Sequence, residues 1–326
     1  MRVLYRRAPG PFAHYGQPSK LRPPRQYNGA VAAIPFLKMH GCGNDFIVVN
    51  DADGRLTWDV LAELAQRYCP RRLGVGADGV IAVGHGPLPG ERWPAQADYE
   101  MRYVNADGST AEMCGNGIRC LGKFAADELG DRRDDLRIAT GAGVLPIQLH
   151  RDAAGHVASV TVGMGVPHLL AQDIPTTLRP PGETVVGALL EADDEEPLAV
   201  TCVSMGNPHV VTFVDAITEH HVHGLGPLIE THPAFPERAN AEFVQVLAAD
   251  RLRMRVWERG CGETWACGTG ACASVVAAVL NSHSRHGDSV TVVLNGGELS
   301  ISWGAPDVEV QMTGPAVTVF RGDLNL

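Results

Sequence analysis

Long hydrophobic runs are missing from this sequence. Nowhere do about 18 apolar residues follow one another, so no segment is long enough to cross a bilayer as a helix. No secretory leader is recognisable either, and the chain is expected in the cytoplasm. Positive charge is in deficit: 27 Lys and Arg against 37 Asp and Glu leave a formal net charge of -10. Such a surface repels a phosphate backbone, which argues against a nucleic-acid partner. Acidic residues are themselves absent before Asp45. The segment 1–34 is basic and proline-rich and reads as a flexible extension, because it cannot bury enough apolar surface to order itself.

The usual cofactor signatures are absent too. Gly74-Val75-Gly76-Ala77-Asp78-Gly79 is glycine-rich but lacks the spacing and context of a dinucleotide loop. No pyridoxal-phosphate context is evident. The eight cysteines are too scattered for a disulfide scaffold, and Cys261, Cys267 and Cys272 are not spaced as a structural zinc site. The chemistry is therefore expected from side chains alone, with no cofactor and no metal.

What the sequence does contain is a repeat. Gly43-Asn44-Asp45-Phe46-Ile47-Val48 returns in outline as Gly206-Asn207-Pro208-His209-Val210-Val211, and Cys114-Gly115-Asn116-Gly117 returns as Cys267-Gly268-Thr269-Gly270. Nine positions before each cysteine stands a polar side chain, Asn105 in one copy and Glu258 in the other. Strand patterns lead into each motif, near 36–49 and 98–104 in the first copy. A helical pattern follows each cysteine, over 118–129 with Gly130 as its cap and over 271–280. Further strands are expected at 136–139 and 144–149. Two similar α+β domains related by an approximate two-fold axis, with paired motifs facing one cleft, account for this order.

A cysteine before Gly-x-Gly at a helix start is chemically informative. The first N–H groups of the helix lack intrahelical acceptors and favour a thiolate or a bound carboxylate. Two such sites across a pseudo-symmetric cleft put one sulfur on each face of a small molecule, which is what inversion at a carbon needs: a base on one side and an acid on the other. Glu258 and Arg259 offer an acceptor for an ammonium group and a donor for a carboxylate. His209 stands close enough to Asn207 to influence a thiol. Cys120 and Cys272, inside the helices, read as small buried apolar residues.

The sequence closely resembles the diaminopimelate epimerase family over about residues 36–320. The resemblance rests on Met39 to Phe46, Asn105-Ala106-Asp107-Gly108-Ser109, Cys114 to Cys120, Met205 to His209, Asn240-Ala241-Glu242-Phe243, Trp257-Glu258-Arg259-Gly260 and Ala266 to Cys272. It implies interconversion of LL- and meso-2,6-diaminopimelate by Cys114 and Cys267. It also implies substrate contacts at Asn44, Asn105, Gly115, Asn116, Asn207, Asn240, Glu258, Arg259, Gly268 and Thr269, and tuning of the thiols by His209 and Glu258. The implied fold is α+β, two domains each with a curved sheet around a central helix. The implied bounds are 35–157, completed by a returning strand within 313–326, and 158–312. A homodimer with Phe320 at its contact is expected by the same resemblance. Two positions depart from the family pattern: Gly79, where many relatives carry Gln, and Trp265, where a smaller aliphatic residue is usual. Two other readings stay open, an epimerase of the same fold acting on proline or hydroxyproline and a noncatalytic amino-acid-binding protein.

Overall fold

The computed structural model describes residues 33–86, 96–111, 113–191 and 196–325; the extension before residue 33 and most of the acidic stretch 191–196 lie outside these. The first half runs β1 (Ala33–Gly41), β2 (Asn44–Asp51), α1 (Trp58–Tyr68), β3 (Gly79–Gly84), β4 (Tyr99–Asn105), β5 (Thr110–Ala111), α2 (Gly115–Asp127), β6 (Asp135–Thr140), β7 (Gly143–Arg151) and β8 (Val157–Gly163). β9 (Ala188–Leu190) ends this half, and the second half begins with β10 (Leu198–Ser204) and β11 (Pro208–Phe213). A π-helical turn, His220–Leu225, then runs into α3 (Gly226–Glu230). The rest comprises β12 (Asn240–Ala248), β13 (Arg251–Glu258), β14 (Gly262–Glu263), α4 (Gly268–Leu280), β15 (Ser289–Leu294), β16 (Gly297–Ser302), β17 (Gln311–Pro315) and β18 (Val317–Asn325).

The strand pairings repeat. In the first half β1 pairs with β2 antiparallel, β2 with β3 parallel, β3 with β4 antiparallel, β4 with β6 parallel, then β6 with β7 and β7 with β8 antiparallel. In the second half β10, β11, β12, β13, β15, β16 and β17 follow the same sequence of senses. The two halves join through the antiparallel pair β8 and β17, which occupy equivalent places. Each half then sends its last strand to the other: β9, after β8, pairs with β10, and β18, after β17, pairs with β1.

Both helices behind the cysteines lie in the core. α4 is buried from Gly270 to Ala278, which is why its sequence is apolar on every side instead of in a stripe. Its alanines let strands approach closely, and its valines are tolerated because tertiary packing outweighs their modest helix propensity. α2 is buried from Asn116 to Gly122 and from Phe124 to Ala126, and packs against Ile147, Leu149 and Val160 of the surrounding sheet in the same core cluster. Both helices begin three residues earlier than their apolar periodicity suggests, at the glycines directly after each cysteine. Glycine reads as a turn in sequence, yet here it supplies the first helical turn because a neighbouring side chain needs the space. Gly130, at φ 78°, follows the end of α2. β1 starts at Ala33 because its edge is covered by β18. Among the described residues no helix is long and apolar enough to cross a membrane.

Candidate active site

Cys114 and Cys267 stand in equivalent positions, each the extended residue that caps a buried helix, with φ/ψ of -142°/115° and -111°/108°. The helix starts lie side by side at the seam between the halves. A Cβ placed on Gly115 would fall 2.9 Å from Met312 Cε, and one on Gly268 would fall 3.2 Å from Met312 Sδ. One methionine of β17 thus packs on both starts, and neither position has room for a side chain. Asn116 adds a direct tie, donating through Nδ2 to the backbone oxygen of Ala266 at 3.4 Å.

The half-buried Cys114 thiol donates to Asn44 Oδ1 at 3.6 Å. That oxygen also accepts from Asn116 Nδ2 at 3.1 Å, while Asn44 Nδ2 donates to Asp78 Oδ2 at 2.7 Å. An ionised carboxylate accepts only, so Asp78 fixes which end of the Asn44 amide faces the sulfur. Behind the helix start lies Arg119, fully buried, donating to Asn116 Oδ1 at 2.9 Å and to Gly115 O at 3.1 Å. Burial pushes the Cys114 thiol up. The N–H groups of Gly117 and Asn116 and the Arg119 guanidinium oppose that rise, and Glu258 adds to it.

Cys267 is buried and accepts from the Gly270 N–H at 3.3 Å, with the Thr269 hydroxyl at 3.5 Å. Burial, then the carboxylates of Glu258 and Glu242, push this thiol well above the ordinary thiol range; the Thr269 and Gly270 donors oppose them. Burial also raises the Glu258 carboxyl, against hydrogen bonds from Thr264 and Cys267. Asn207 donates through Nδ2 to Thr269 Oγ1 at 3.4 Å and accepts through Oδ1 from His209 Nε2 at 3.0 Å. On its other side His209 Nδ1 pairs with Glu242 Oε1 at 2.6 Å.

Asn105 closes β4 and Glu258 closes β13, the same place in each half. Asn105 donates to Ser109 Oγ at 3.0 Å. Asn240 is buried and joins three segments, donating to Pro208 O and accepting from the Arg259 N–H, both at 2.9 Å. Arg259 is exposed, its guanidinium donating to Glu237 O at 2.9 Å and not pairing with Glu258. A Cβ on Gly79 would lie 2.4 Å from Val104 O and 2.5 Å from the Tyr103 ring, so the Tyr103 ring fills the space a side chain at 79 would enter. Trp265 is 66% exposed, its ring lying over the Gly43 turn instead of in the core. Phe320 stands on β18, half-exposed, edge-on to Phe36 with 6.0 Å between centroids. Asp78, Arg119, Glu242 and Thr264 also belong to the site or its support. No sequence spacing marks them; only the strand register and the helix start bring them there.

The arrangement offers two sulfurs, each beside backbone donors at a helix N-terminus, with carboxamides and carboxylates around them. That set can remove a proton from an acidic carbon, hold the resulting negative charge on an adjoining carboxylate and return a proton.

A family model described as Diaminopimelate epimerase matches residues 36–170 and 201–319. A diaminopimelate epimerase of Synechocystis sp. is 52% identical over 296 residues, covering 90% of this chain and 100% of that protein. One of Moorella thermoacetica is 48% identical over 291 residues, covering 89% and 99%. Among solved structures, a phenazine biosynthesis protein of the PhzF family from Bacillus anthracis is similar with a TM-score of 0.63 at 18% identity, covering 90% of this chain and 100% of that one. A hydroxyproline epimerase from Agrobacterium vitis, with bound trans-4-hydroxy-L-proline, is similar with a TM-score of 0.63 at 15% identity, covering 90% and 91%. These two likenesses speak to the fold, the two-domain α+β architecture of this group.

Proposed function

Because the chain belongs to the diaminopimelate epimerase family, we propose that it interconverts LL- and meso-2,6-diaminopimelate by passing a proton between the substrate and two thiols, Cys114 and Cys267. It is an amino-acid epimerase, and its product serves lysine and peptidoglycan-precursor synthesis. The observation that carries the mechanism is the pair of cysteine-capped helix starts packed on one methionine and tied by Asn116.

In this reading one cysteine, as thiolate, removes the α-proton, and the C–H electron pair passes into the adjoining carboxylate. The charge that develops there is met by N–H groups at the two helix starts, which are oriented before the reaction and need no reorganisation. The other cysteine, as thiol, delivers its proton to the opposite face. The enzyme is left with the two sulfurs in exchanged protonation states, ready for the reverse direction. Asn44, Asn105, Gly115, Asn116, Gly268 and Thr269 frame the reacting centre. Asn207, Asn240, Glu258 and Arg259 recognise the remaining ammonium and carboxylate groups, which a diamino diacid has in excess of proline. Exclusion of water from the closed cleft keeps the carbanion from being quenched at random. The bounds taken for the domains are 35–157 with 313–326, and 158–312; the working form is a cytoplasmic homodimer with Phe320 at its contact.

Incubating the purified protein with LL-diaminopimelate in deuterium oxide, with nothing else added, tests this. The expected result is meso product carrying deuterium at the inverted carbon and no turnover of proline. Turnover of proline in place of diaminopimelate would replace this reading with the proline-type one.

A further inference from the structure

The two halves provide an internal control on each other. Two residues past the asparagine of each Gly-Asn element stand Phe46 and His209, opposite Gly79 and Asn240 in their parallel pairs. Two residues further along the partner strands, Ile81 and Glu242 correspond. Both reach the third residue of a cysteine-capped helix: a Cβ on Gly117 would lie 2.9 Å from Ile81 Cδ1, and one on Gly270 would lie 2.7 Å from Glu242 Oε1. Beneath Cys114 the fold therefore holds a phenyl ring and an aliphatic chain. In the same place beneath Cys267 it holds an imidazole and a carboxylate, both 0% exposed and 2.6 Å apart.

Stability does not account for the polar pair. Hydrocarbon of similar volume is often as good or better at a buried site, and the first half shows that hydrocarbon fits. Glu242 Oε2 moreover has no hydrogen-bond partner, a further cost. What the pair does is orient an amide. With His209 Nε2 donating to Asn207 Oδ1, the Asn207 nitrogen is left to donate to Thr269, whose hydroxyl lies beside the Cys267 sulfur. In the first half the corresponding amide is reversed, Asn44 giving its nitrogen to Asp78 and its oxygen to Cys114.

We propose that Glu242 is a positioning residue for the reaction: through His209 it fixes Asn207 and Thr269 around Cys267 and makes this cysteine unlike its counterpart Cys114. The inference rests on the epimerase reading above. The titratable groups that face the pair are Glu258 and Cys267 on the site side and Cys202 from β10.

The test gives the second half the first half's residues, H209F/E242I, beside the conservative E242Q. The double variant is expected to melt within about 5 °C of the parent, since an apolar pair suits the space. Its kcat on LL-diaminopimelate is expected to fall about tenfold or more with KM changed less than about threefold, whereas E242Q, which still offers His209 an acceptor, stays within about threefold of the parent. Alkylation by iodoacetamide, followed peptide by peptide against pH, reads the cysteines separately. In E242Q, loss of the Glu242 carboxylate moves the Cys267 profile to lower pH and leaves that of Cys114 in place. Parental kcat in the double variant, or equal movement of both profiles, would overturn the proposal. Should the double variant not fold, the E242Q alkylation profiles decide by the same criterion. If the parent protein itself shows no epimerase activity, the functional reading fails while the alkylation comparison still judges Glu242.

Discussion

Asn116 and Ala266 are joined across the seam of the molecule: the carboxamide just behind Cys114 donates to the backbone oxygen just before Cys267. The same carboxamide is held from behind by Arg119 and shares Asn44 Oδ1 with the Cys114 thiol. The two reactive positions therefore do not sit on independent loops. A displacement of one helix start is passed to the approach of the other.

If both sulfurs act, neither can be spared. Cys114→Ala and Cys267→Ala should each lower kcat by about a thousandfold or more, as expected for loss of a proton-transfer group. Turnover and solvent-deuterium incorporation measured on both variants check this, and full activity in either one excludes the two-thiol mechanism.

Asp78 never reaches the sulfur yet decides how Asn44 faces it. Asp78→Ala frees that amide to turn over, and kcat should drop about tenfold with a smaller change in KM. Asp78→Asn, which still offers a carbonyl to Asn44, should recover part of the loss. Steady-state kinetics on the two variants would contradict this if they fell equally.

The thiols set opposite pH trends for activity and stability. Burial first, and Glu258 next for Cys267, hold both reactive thiols above the ordinary range in the free enzyme, so the thiolate fraction grows with pH. The ratio kcat/KM should accordingly climb from about pH 7 to about pH 9. Burial also raises Cys69 to about 11 and Cys120 and Cys272 to about 12 in the folded chain, above the ordinary thiol value of 9.0. Stability from these groups is complete below the unfolded value and is lost as pH rises through the folded ones. Melting temperatures should fall from about pH 9 upward while activity is still rising; a flat melting curve across that range would be the contrary result.

Gly296 lies against the opposite half of the molecule, where an added Cβ would stand 1.7 Å from the Cys42 carbonyl oxygen. Backbone cannot yield as a flexible side chain can. Gly296→Ala should cost about 3 kcal/mol, at the upper end of overpacking losses, whereas Gly304→Ala, with its nearest neighbour at 4.0 Å, should be close to neutral. Urea denaturation of the two variants provides the comparison.

Much of this is legible in the sequence. The recurrence of Gly-Asn and Cys-Gly-x-Gly marked equivalent strands and helix starts, because a local turn and a helix cap leave a local trace. The apolar periodicity places both helix starts three residues late, since Gly115, Gly117, Gly268 and Gly270 carry the signature of a turn while Met312, Ile81 and Glu242 occupy the space their side chains would need. The sequence assigns Asp78 and Glu242 no role for a different reason. Each reaches its partner through the register of a parallel strand pair, and parallel register is set by long-range packing that no short window of sequence records. The π-helical turn at His220–Leu225 likewise had no sequence mark.

The reciprocal strands β9 and β18 carry a last consequence. A chain cut between the halves would strip each fragment of its outermost strand and leave a raw backbone edge on β1 or β10, inviting indiscriminate association. Each half thus borrows the strand that seals its border from the other, and separating them would unseal both.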